Sequence, residues 1–255
     1  MIFYQRENYN EMEEKKIVIY DPWGGLGDSL QYSLLPELYT NKGYSVYVSS
    51  KTPYRNKEIL DLVWKLNPFI KGIIDEDGTP GIGSTVIIKN ISGKSWVHDM
   101  ATYHGFIENI KLYPTIYYKP NLIPQLNNCL LYDTTFVSGI PDNNIDDSFY
   151  SLCMKYKNLN RYRIHYTNPV INNNIISSLK EDQCYEVNSI YDLCDVIYSC
   201  SVFVSGFSGN MVLASAIKQD KESPIIHSII PYRFHERYRQ NNLFYTFPNI
   251  IYELG

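Results

Sequence analysis

The sequence predicts an α/β protein made of two doubly wound halves that face one another across a cleft. Strands alternate with helices along the chain, and a stretch rich in Pro and Asn, "YYKPNLIPQLNN", separates two series of about 120 residues. A glycine-rich turn leads from strand to helix in each series. This alternation is typical of parallel sheets with helices on both faces. We place the domains at 1–122 and 123–255, and allow that the C-terminal segment packs back on the first domain.

In the first half, "KIVIY" reads as a buried strand that runs into the glycine turn. Leucines at helical spacing then predict one helix, which ends near Gly43. A second strand, a helix with an apolar face and two further strands follow. These elements are "YSVYVSS", the helix carrying Ile59, Leu60, Val63 and Leu66, "FIKGIID" and "STVIIKN".

In the second half, Ser189 and Asp192 predict a capped helix start, since a serine side chain can accept from the amide three residues on. "VFVSG" then predicts a buried strand, and "SGNMVLASAIK" a helix after a glycine turn. The remaining predicted strands are "CLLYDTTF", "YRIHY" and "PIIHSII", and the remaining predicted helices are "DDSFYSLCMKY", "VINNNIISSLK" and "RFHERYRQ".

Composition and charge narrow the range of functions. The chain has 255 residues, a formal net charge of -4 and no block of lysine and arginine, so nucleic acid and anionic membranes are not expected partners. No apolar run approaches the roughly 20 residues that span a bilayer, and "MIFYQRENYNEMEEKK" does not resemble a signal peptide. We therefore expect a cytoplasmic protein. Its five cysteines form no C-x-x-C pair, which favours reduced, buried thiols.

The first glycine turn, "DPWGGLGD", is the strongest candidate for a ligand site. Ligands of open α/β sheets bind beyond the carboxyl ends of the strands. Gly24, Gly25 and Gly27 allow positive φ and close approach of the backbone to a ligand. The spacing is not G-x-G-x-x-G and no acidic residue ends the second strand, so a nicotinamide dehydrogenase is disfavoured.

The stretch "GGLGDSLQYSLLPEL" resembles the N-terminal motif of GT-B glycosyltransferases related to the lipopolysaccharide heptosyltransferases, with Leu35 and Pro36 matching a Leu-Pro pair of that family. "SIYDLCDVIYSCSVFVSGFSGNMVLASA" is similar to the part of those enzymes that binds the nucleotide-sugar diphosphate. The resemblance covers about a third of the chain. It implies two Rossmann-like domains and the transfer of a sugar from a nucleoside-diphosphate donor to a hydroxyl acceptor.

The resemblance implies that Asp28 is the catalytic base, which takes the proton of the acceptor hydroxyl in an inverting transfer. A carboxylate at a helix N-terminus is favoured as the anion, which suits this role. The alternative is that Asp28 only stabilises the helix dipole.

For the donor diphosphate, the expected binding segment is the second turn. Its residues are Ser205, Gly206, Ser208, Gly209 and Asn210. Backbone amides and the Ser208 hydroxyl would hold phosphate there without a metal, and the alternative is a simple helix cap. The sequence departs from the family here, because Phe207 replaces an aspartate and Val212 falls near the place of a histidine.

Other polar residues are weaker candidates. The family's lysine after the first strand of the second domain is missing, but Thr134, Thr135 or Ser138 could contact phosphate. A counter-charge for the leaving diphosphate could come from the "YRFHERYRQ" segment, although a solvated charged helix is the favoured explanation of those charges. Its candidates are Arg233, His235, Arg237 and Arg239.

In "WVHDMATYHGF", either His98 or His104 could serve the acceptor or hydrogen-bond within the fold. The spacing of these histidines and Asp99 does not match a zinc motif, and no G-x-S-x-G elbow is present.

The function expected from these observations is a metal-independent, inverting glycosyltransferase without a cofactor, whose donor is a nucleoside-diphosphate sugar. Two alternatives stay open. One is a catalytically inactive nucleotide-sugar-binding protein of the same fold, and the other is a Rossmann-type NAD-dependent oxidoreductase or epimerase.

Overall fold

The computed structural model describes residues 15–82, 94–135, 145–168, 179, 182–217, 225–239 and 246–255. Its strands are β1 (Lys16–Ile19), β2 (Ser45–Ser49), β3 (Ile70–Ile74), β4 (Cys129–Asp133), β5 (Asn160–Tyr166), β6 (Gln183–Val187), β7 (Val202–Gly206), β8 (Ile225–Ile230) and β9 (Ile250–Leu254). They form two sheets, in the orders β1-β2-β3 and β6-β5-β4-β7-β8-β9. Every strand pair in them is parallel, as the alternation of elements predicted.

The helices are α1 (Leu26–Gln31), α2 (Leu35–Asn41), α3 (Lys57–Ile59), α4 (Trp96–Tyr103), α5 (Ile145–Lys155), α6 (Ile190–Ser199), α7 (Gly209–Ile217) and α8 (His235–Arg239). A π-helical segment, Leu60–Lys65, continues α3. Short 3-10 turns lie at Pro124–Leu126 and Tyr232–Phe234. The predicted cap of α6 is confirmed, since the Asp192 amide donates to Ser189 Oγ at 3.0 Å.

The order of the second sheet fixes where a ligand would bind. The first strand of the series, β4, lies at the centre, with β5 and β6 on one side and β7, β8 and β9 on the other. Such an order creates a crevice where the connections diverge, beyond the carboxyl ends of the two central strands. Asp133 at the end of β4 is in register with Ser205 of β7 at this edge. The second glycine turn therefore follows a central strand of the sheet.

Two sequence predictions need correction, and two strands were not predicted. The single helix expected after the first glycine turn is two short helices, α1 and α2, because Pro36 near the start of α2 lacks the amide that a continuous helix requires. Leu66 is exposed rather than part of an apolar face, because the wider π-helical turn rotates it outward. The strands that were not predicted are the two edge strands of the second sheet, β6, in which only the last residue is buried, and β9.

The predicted strand "STVIIKN", most of the predicted helix "VINNNIISSLK", and Ser138 lie outside the described residues. The predicted strands at β1, β2, β3, β4, β5, β7 and β8 are confirmed.

Buried apolar side chains join the two halves. One continuous cluster contains Ile19 and Val48 of the first sheet together with Leu131 and Phe203 of the second. A second cluster fills the other face of the second sheet beneath α5, around Phe149. The C-terminal strand β9 completes the second sheet. Thr246, just before it, accepts a hydrogen bond from the Trp96 amide of the first half at 3.4 Å.

Candidate functional site

The first glycine turn is held in shape by Asp21, whose side chain is fully buried. Oδ1 accepts from the amides of Trp23 (2.9 Å) and Gly24 (3.4 Å), and Oδ2 accepts from the Ser29 hydroxyl (2.7 Å). Burial raises the pKa of this carboxyl, against the lowering effect of these hydrogen bonds. Asp21 thus organises the turn and is not accessible to a ligand.

Gly24 needs its glycine for two reasons. Its φ of +64° lies in the left-handed region. A Cβ would also lie 2.6 Å from the carbonyl carbon of Pro53 and 2.9 Å from the Tyr54 nitrogen. The Arg55 amide donates to the Gly24 carbonyl at 3.1 Å. The turn is therefore packed against the loop that follows β2.

Asp28 is the partly exposed acidic residue of the first glycine turn. It lies near the N-terminus of helix α1. Its carboxylate lies over Gly25, where a Cβ would collide with Oδ2. The guanidinium carbon of Arg55 is 3.7 Å from the same Cβ position. A carboxylate and a guanidinium thus both lie beside Gly25, at the carboxyl edge of the first sheet. Sequence reasoning missed Arg55, although its place after the second parallel strand put it at this edge.

The second glycine turn follows β7 and begins α7. Ser205 and Gly206 are buried, and Ser208, Gly209 and Asn210 are partly exposed. Ser205 Oγ donates to the Gly206 carbonyl at 3.0 Å and lies 3.3 Å from Ser208 Oγ. Ser208 and the first residues of α7 are thus the accessible part of the predicted donor segment.

Asp133 lies beneath this turn and is fully buried. Its Oδ1 accepts from the amide (2.9 Å) and hydroxyl (2.6 Å) of Thr135. Its Oδ2 accepts from Asn210 Nδ2 (2.6 Å) and the Tyr166 hydroxyl (3.3 Å). Burial raises the pKa of Asp133, again against its hydrogen bonds. The Thr135 hydroxyl is thus engaged with Asp133, and sequence reasoning did not single out Asp133 or Tyr166.

The two glycine turns touch. A Cβ on Gly209 would lie 2.9 Å from the Gly27 nitrogen and 3.2 Å from Leu26 Cβ. The N-terminal ends of α1 and α7 therefore pack so closely that a side chain at position 209 would require the backbone to shift. The structure thus brings together Gly27 and Gly209, which lie 182 positions apart in the printed sequence.

The histidines of α4 are held by contacts within the first half. His98 lies near Lys94 (3.4 Å) and Asp99 (4.0 Å), and its pKa is lowered by burial and by Lys94. His104 Nδ1 is 3.3 Å from the Tyr39 hydroxyl, and burial lowers its pKa to about 4. A neutral, half-buried imidazole beside a tyrosine hydroxyl is typical of a histidine that stabilises the fold.

The predicted counter-charge segment packs beside the second turn. The rings of Phe207 and Phe234 lie 5.9 Å apart, and the Arg233 guanidinium sits 4.8 Å from the centre of the Phe234 ring. His235 is buried, with Nε2 3.0 Å from the Ile230 carbonyl. Arg239 is exposed, and the Arg237 side chain lies outside the described residues. The Arg233 guanidinium thus lies beside Phe234, whose ring contacts Phe207 of the second turn.

Within the described ranges, no three His, Cys, Asp or Glu side chains come together as a metal site. In the same ranges, no helix combines the length and apolar character needed to cross a bilayer.

No protein-family model and no curated protein matches this sequence. Solved structures share its fold. TibC, described as a dodecameric iron-containing heptosyltransferase in complex with ADP-D-β-D-heptose, superposes with a TM-score of 0.60 at 14% identity. The match covers 95% of this chain and 64% of TibC, so the chain spans less than two thirds of that protein.

Two shorter proteins match over most of both chains. A family 9 glycosyltransferase from Veillonella parvula has a TM-score of 0.57 at 10% identity, covering 96% of this chain and 87% of its own. The E. coli ADP-heptose lipopolysaccharide heptosyltransferase II has a TM-score of 0.51 at 10% identity, covering 94% and 90%. The resemblance to heptosyltransferase-like glycosyltransferases is thus confirmed at the level of the fold.

Proposed function

We propose that this chain is a GT-B glycosyltransferase that moves a sugar from a nucleoside diphosphate to a hydroxyl of a glycan or related acceptor. The observation that carries this is the contact between the two glycine turns, with Gly27 against Gly209. Each turn follows a parallel strand, where α/β proteins bind their ligands. An acceptor held at Asp28 and a donor held at Ser208 would therefore lie side by side, between two Rossmann-like domains at 1–122 and 123–255.

In the proposed reaction the acceptor oxygen attacks the anomeric carbon of the donor sugar, and the bond from that carbon to the diphosphate oxygen breaks. Asp28 takes the proton of the acceptor hydroxyl, and the nucleoside diphosphate leaves with the bonding electrons. Attack from the face opposite the leaving group inverts the anomeric carbon. Asp28 suits the role of base better than Asp21, because Asp28 is partly exposed and Asp21 is fully buried.

For the diphosphate, we propose the amides at the start of α7 and the Ser208 hydroxyl, with Gly24, Gly25, Gly27, Ser205 and Gly206 shaping the backbone around it. Arg233 would supply positive charge to the leaving group. We propose transfer without a metal. Among the described residues, no group of three His, Cys, Asp or Glu side chains could hold an iron ion such as the one that TibC is described as containing.

The first test is thermal unfolding of the protein with ADP, GDP, UDP, CDP or NAD, without metal and then with magnesium. A ligand that binds only the folded state raises the melting temperature. At a ligand concentration of 100 times its Kd, it adds about 2.7 kcal/mol to the free energy of unfolding. We expect one nucleoside diphosphate to do so without metal, and its sugar conjugates then serve in turnover assays. A shift with NAD alone would contradict the proposal, and a shift that needs magnesium would contradict metal independence.

A second candidate is a protein of the same fold that binds a nucleotide sugar without transferring it. Phe207 and Val212, in place of the polar residues of the family, favour it. Nucleotide binding without release of nucleoside diphosphate, with any acceptor or with water, would identify it. The cytoplasmic location predicted from the sequence stays a prediction.

A further inference from the structure

The Asp133 cluster is the most unusual polar feature at the edge of the second sheet. A carboxylate without exposed surface costs free energy unless its hydrogen bonds are complete. Asp133 meets that condition with four donor contacts, from Thr135, Tyr166 and Asn210. Thr135 follows β4, Tyr166 ends β5 and Asn210 lies at the start of α7, so the carboxylate joins three elements at the carboxyl edge of the second sheet.

The hydrogen bonds fix which way the Asn210 amide points. Nδ2 donates to Asp133 Oδ2 at 2.6 Å and to the Tyr166 hydroxyl at 2.9 Å. Both hydrogens of that nitrogen are directed into the cluster, so Oδ1 is turned away from it. Asn210 is partly exposed, next to the contact of Gly209 with Gly27. An acceptor oxygen therefore stands beside the second turn.

We propose that Asp133 is a positioning residue, which holds Asn210 so that Oδ1 accepts a hydrogen bond from a hydroxyl of the donor. This rests on the proposed function. Phosphate oxygens carry no hydrogen at neutral pH and would be repelled by Oδ1, whereas a hydroxyl of the ribose or of the transferred sugar can donate to it. Asn210 would thus recognise a hydroxyl of the donor, while the backbone of the turn holds its diphosphate.

Asp133→Asn tests the positioning directly. The Thr135 amide can only donate, so the oxygen of an amide at 133 must face Thr135 and its NH2 must face Asn210. Asn210 then has to turn its oxygen inward and its NH2 outward. A combined Asp133→Asn and Asn210→Asp variant keeps one carboxylate and one amide in the contact, and again presents an oxygen outward.

The readout uses ADP, 2′-deoxy-ADP and 2′-fluoro-2′-deoxy-ADP, since fluorine accepts hydrogen bonds but cannot donate them. If the hydroxyl is that of the ribose, wild type should bind ADP about 5- to 10-fold more tightly than either analogue, the worth of one hydrogen bond. In Asp133→Asn the fluoro analogue should bind better than the deoxy analogue. In the combined variant that preference should disappear.

If the hydroxyl belongs to the sugar, the affinity ratio of ADP-heptose to ADP should fall by a similar factor in Asn210→Ala and in Asp133→Asn, with the ribose analogues unaffected. Asp195→Asn, on α6, is the matched control. Asp195 also accepts hydrogen bonds from a tyrosine hydroxyl (Tyr118, 3.0 Å) and an asparagine side-chain amide (Asn121, 3.1 Å). It should leave all these ratios unchanged.

The outcomes separate the two proposals. If wild type binds neither ADP-heptose nor any of the nucleoside diphosphates of the unfolding test, the proposed function fails. If wild type binds but Asn210→Ala and Asp133→Asn alter none of the ratios, the assignment of Asp133 and Asn210 is overturned while the proposed function stands. Should Asp133→Asn not fold, Asn210→Ala and the combined variant decide in the same way.

Discussion

A fully buried aspartate supports each glycine turn, Asp21 within the first and Asp133 beneath the second, but the two aspartates have different partners. Asp21 accepts hydrogen bonds from its own turn and from α1, within eight residues of chain. Asp133 accepts from Asn210 and Tyr166, which are 77 and 33 residues away. The first buried carboxylate therefore shapes one loop, whereas the second ties separate elements together. Two stretches with a similar local sequence, glycines after a strand, are therefore stabilised differently, the first by local hydrogen bonds and the second by hydrogen bonds between distant elements.

The turns also differ in what they expose. The first presents the Asp28 carboxylate, with the Arg55 guanidinium nearby. The second presents the Ser208 hydroxyl and the Asn210 amide, which carry no charge. An acid suits proton removal from an acceptor, and neutral groups with backbone amides suit a diphosphate. The following variants test this division, from the largest expected effect to the smallest.

Asp28→Asn should lower kcat by about 10²- to 10⁴-fold, the usual worth of a general base, because an amide cannot take the acceptor proton. Donor affinity and melting temperature should stay close to those of wild type. The measurement is release of nucleoside diphosphate from the donor that the unfolding test identifies. Glu37→Gln, at the start of α2 and paired with Lys111 at 2.7 Å, is the control and should keep its activity. Loss of folding in Asp28→Asn would instead indicate a helix-capping role.

Gly209→Ala should destabilise the protein by about 1–3 kcal/mol, because the added methyl overpacks the contact with the Gly27 nitrogen, 2.9 Å away. Urea unfolding measures this free energy. Gly72→Ala in β3 is the control, since the nearest atom to its Cβ, on Tyr47, is 4.0 Å away. Equal stability of the two variants would show that the contact between the turns carries no weight in the folded protein.

Ser208→Ala should weaken donor binding by about 10- to 100-fold, the usual worth of one hydrogen bond to a charged phosphate oxygen, and should leave kcat unchanged. Titration with the nucleoside diphosphate measures the change. Ser151→Ala on the exposed side of α5 provides the control. An unchanged Kd in Ser208→Ala would show that the Ser208 hydroxyl does not bind the donor and contacts only Ser205.

Asp21→Asn should change stability by less than about 1 kcal/mol, because the Ser29 hydroxyl can turn and accept from the new NH2 while the oxygen keeps the two amides. The pH dependence should change in a defined direction. Burial raises the pKa of Asp21 above its ordinary value of 3.8. At any pH between 3.8 and the raised pKa, the folded state therefore binds more protons than the unfolded state. Wild type therefore loses stability as pH rises through that window, and the variant does not.

The measurement for Asp21→Asn is the free energy of unfolding of both proteins from pH 4 to pH 7. The variant should gain on wild type as the pH increases. A difference that stays constant with pH would contradict the assigned shift.

The sequence by itself determined the elements that repeat a pattern over several residues. Alternation of apolar strands and amphipathic helices indicated parallel sheets, and the residue types around Ser189 and Gly43 indicated a helix start and a left-handed turn, which the structure has. Local hydrogen bonding and backbone sterics decide these features, so neighbouring residues suffice to predict them. The placement of Asp28 at the start of a helix after glycines was predictable for the same reason.

Only the tertiary structure decided which distant residues meet. In the sequence, Asp133 follows the apolar residues of a strand, and no neighbouring residue predicts its contacts with Asn210 and Tyr166. The pairing of β1 with β2 likewise brought Arg55 near Gly25, beside Asp28, and the packing of α7 against α1 brought Gly209 to Gly27. Strand order and helix packing set these contacts through the burial of apolar surface, which depends on the whole chain.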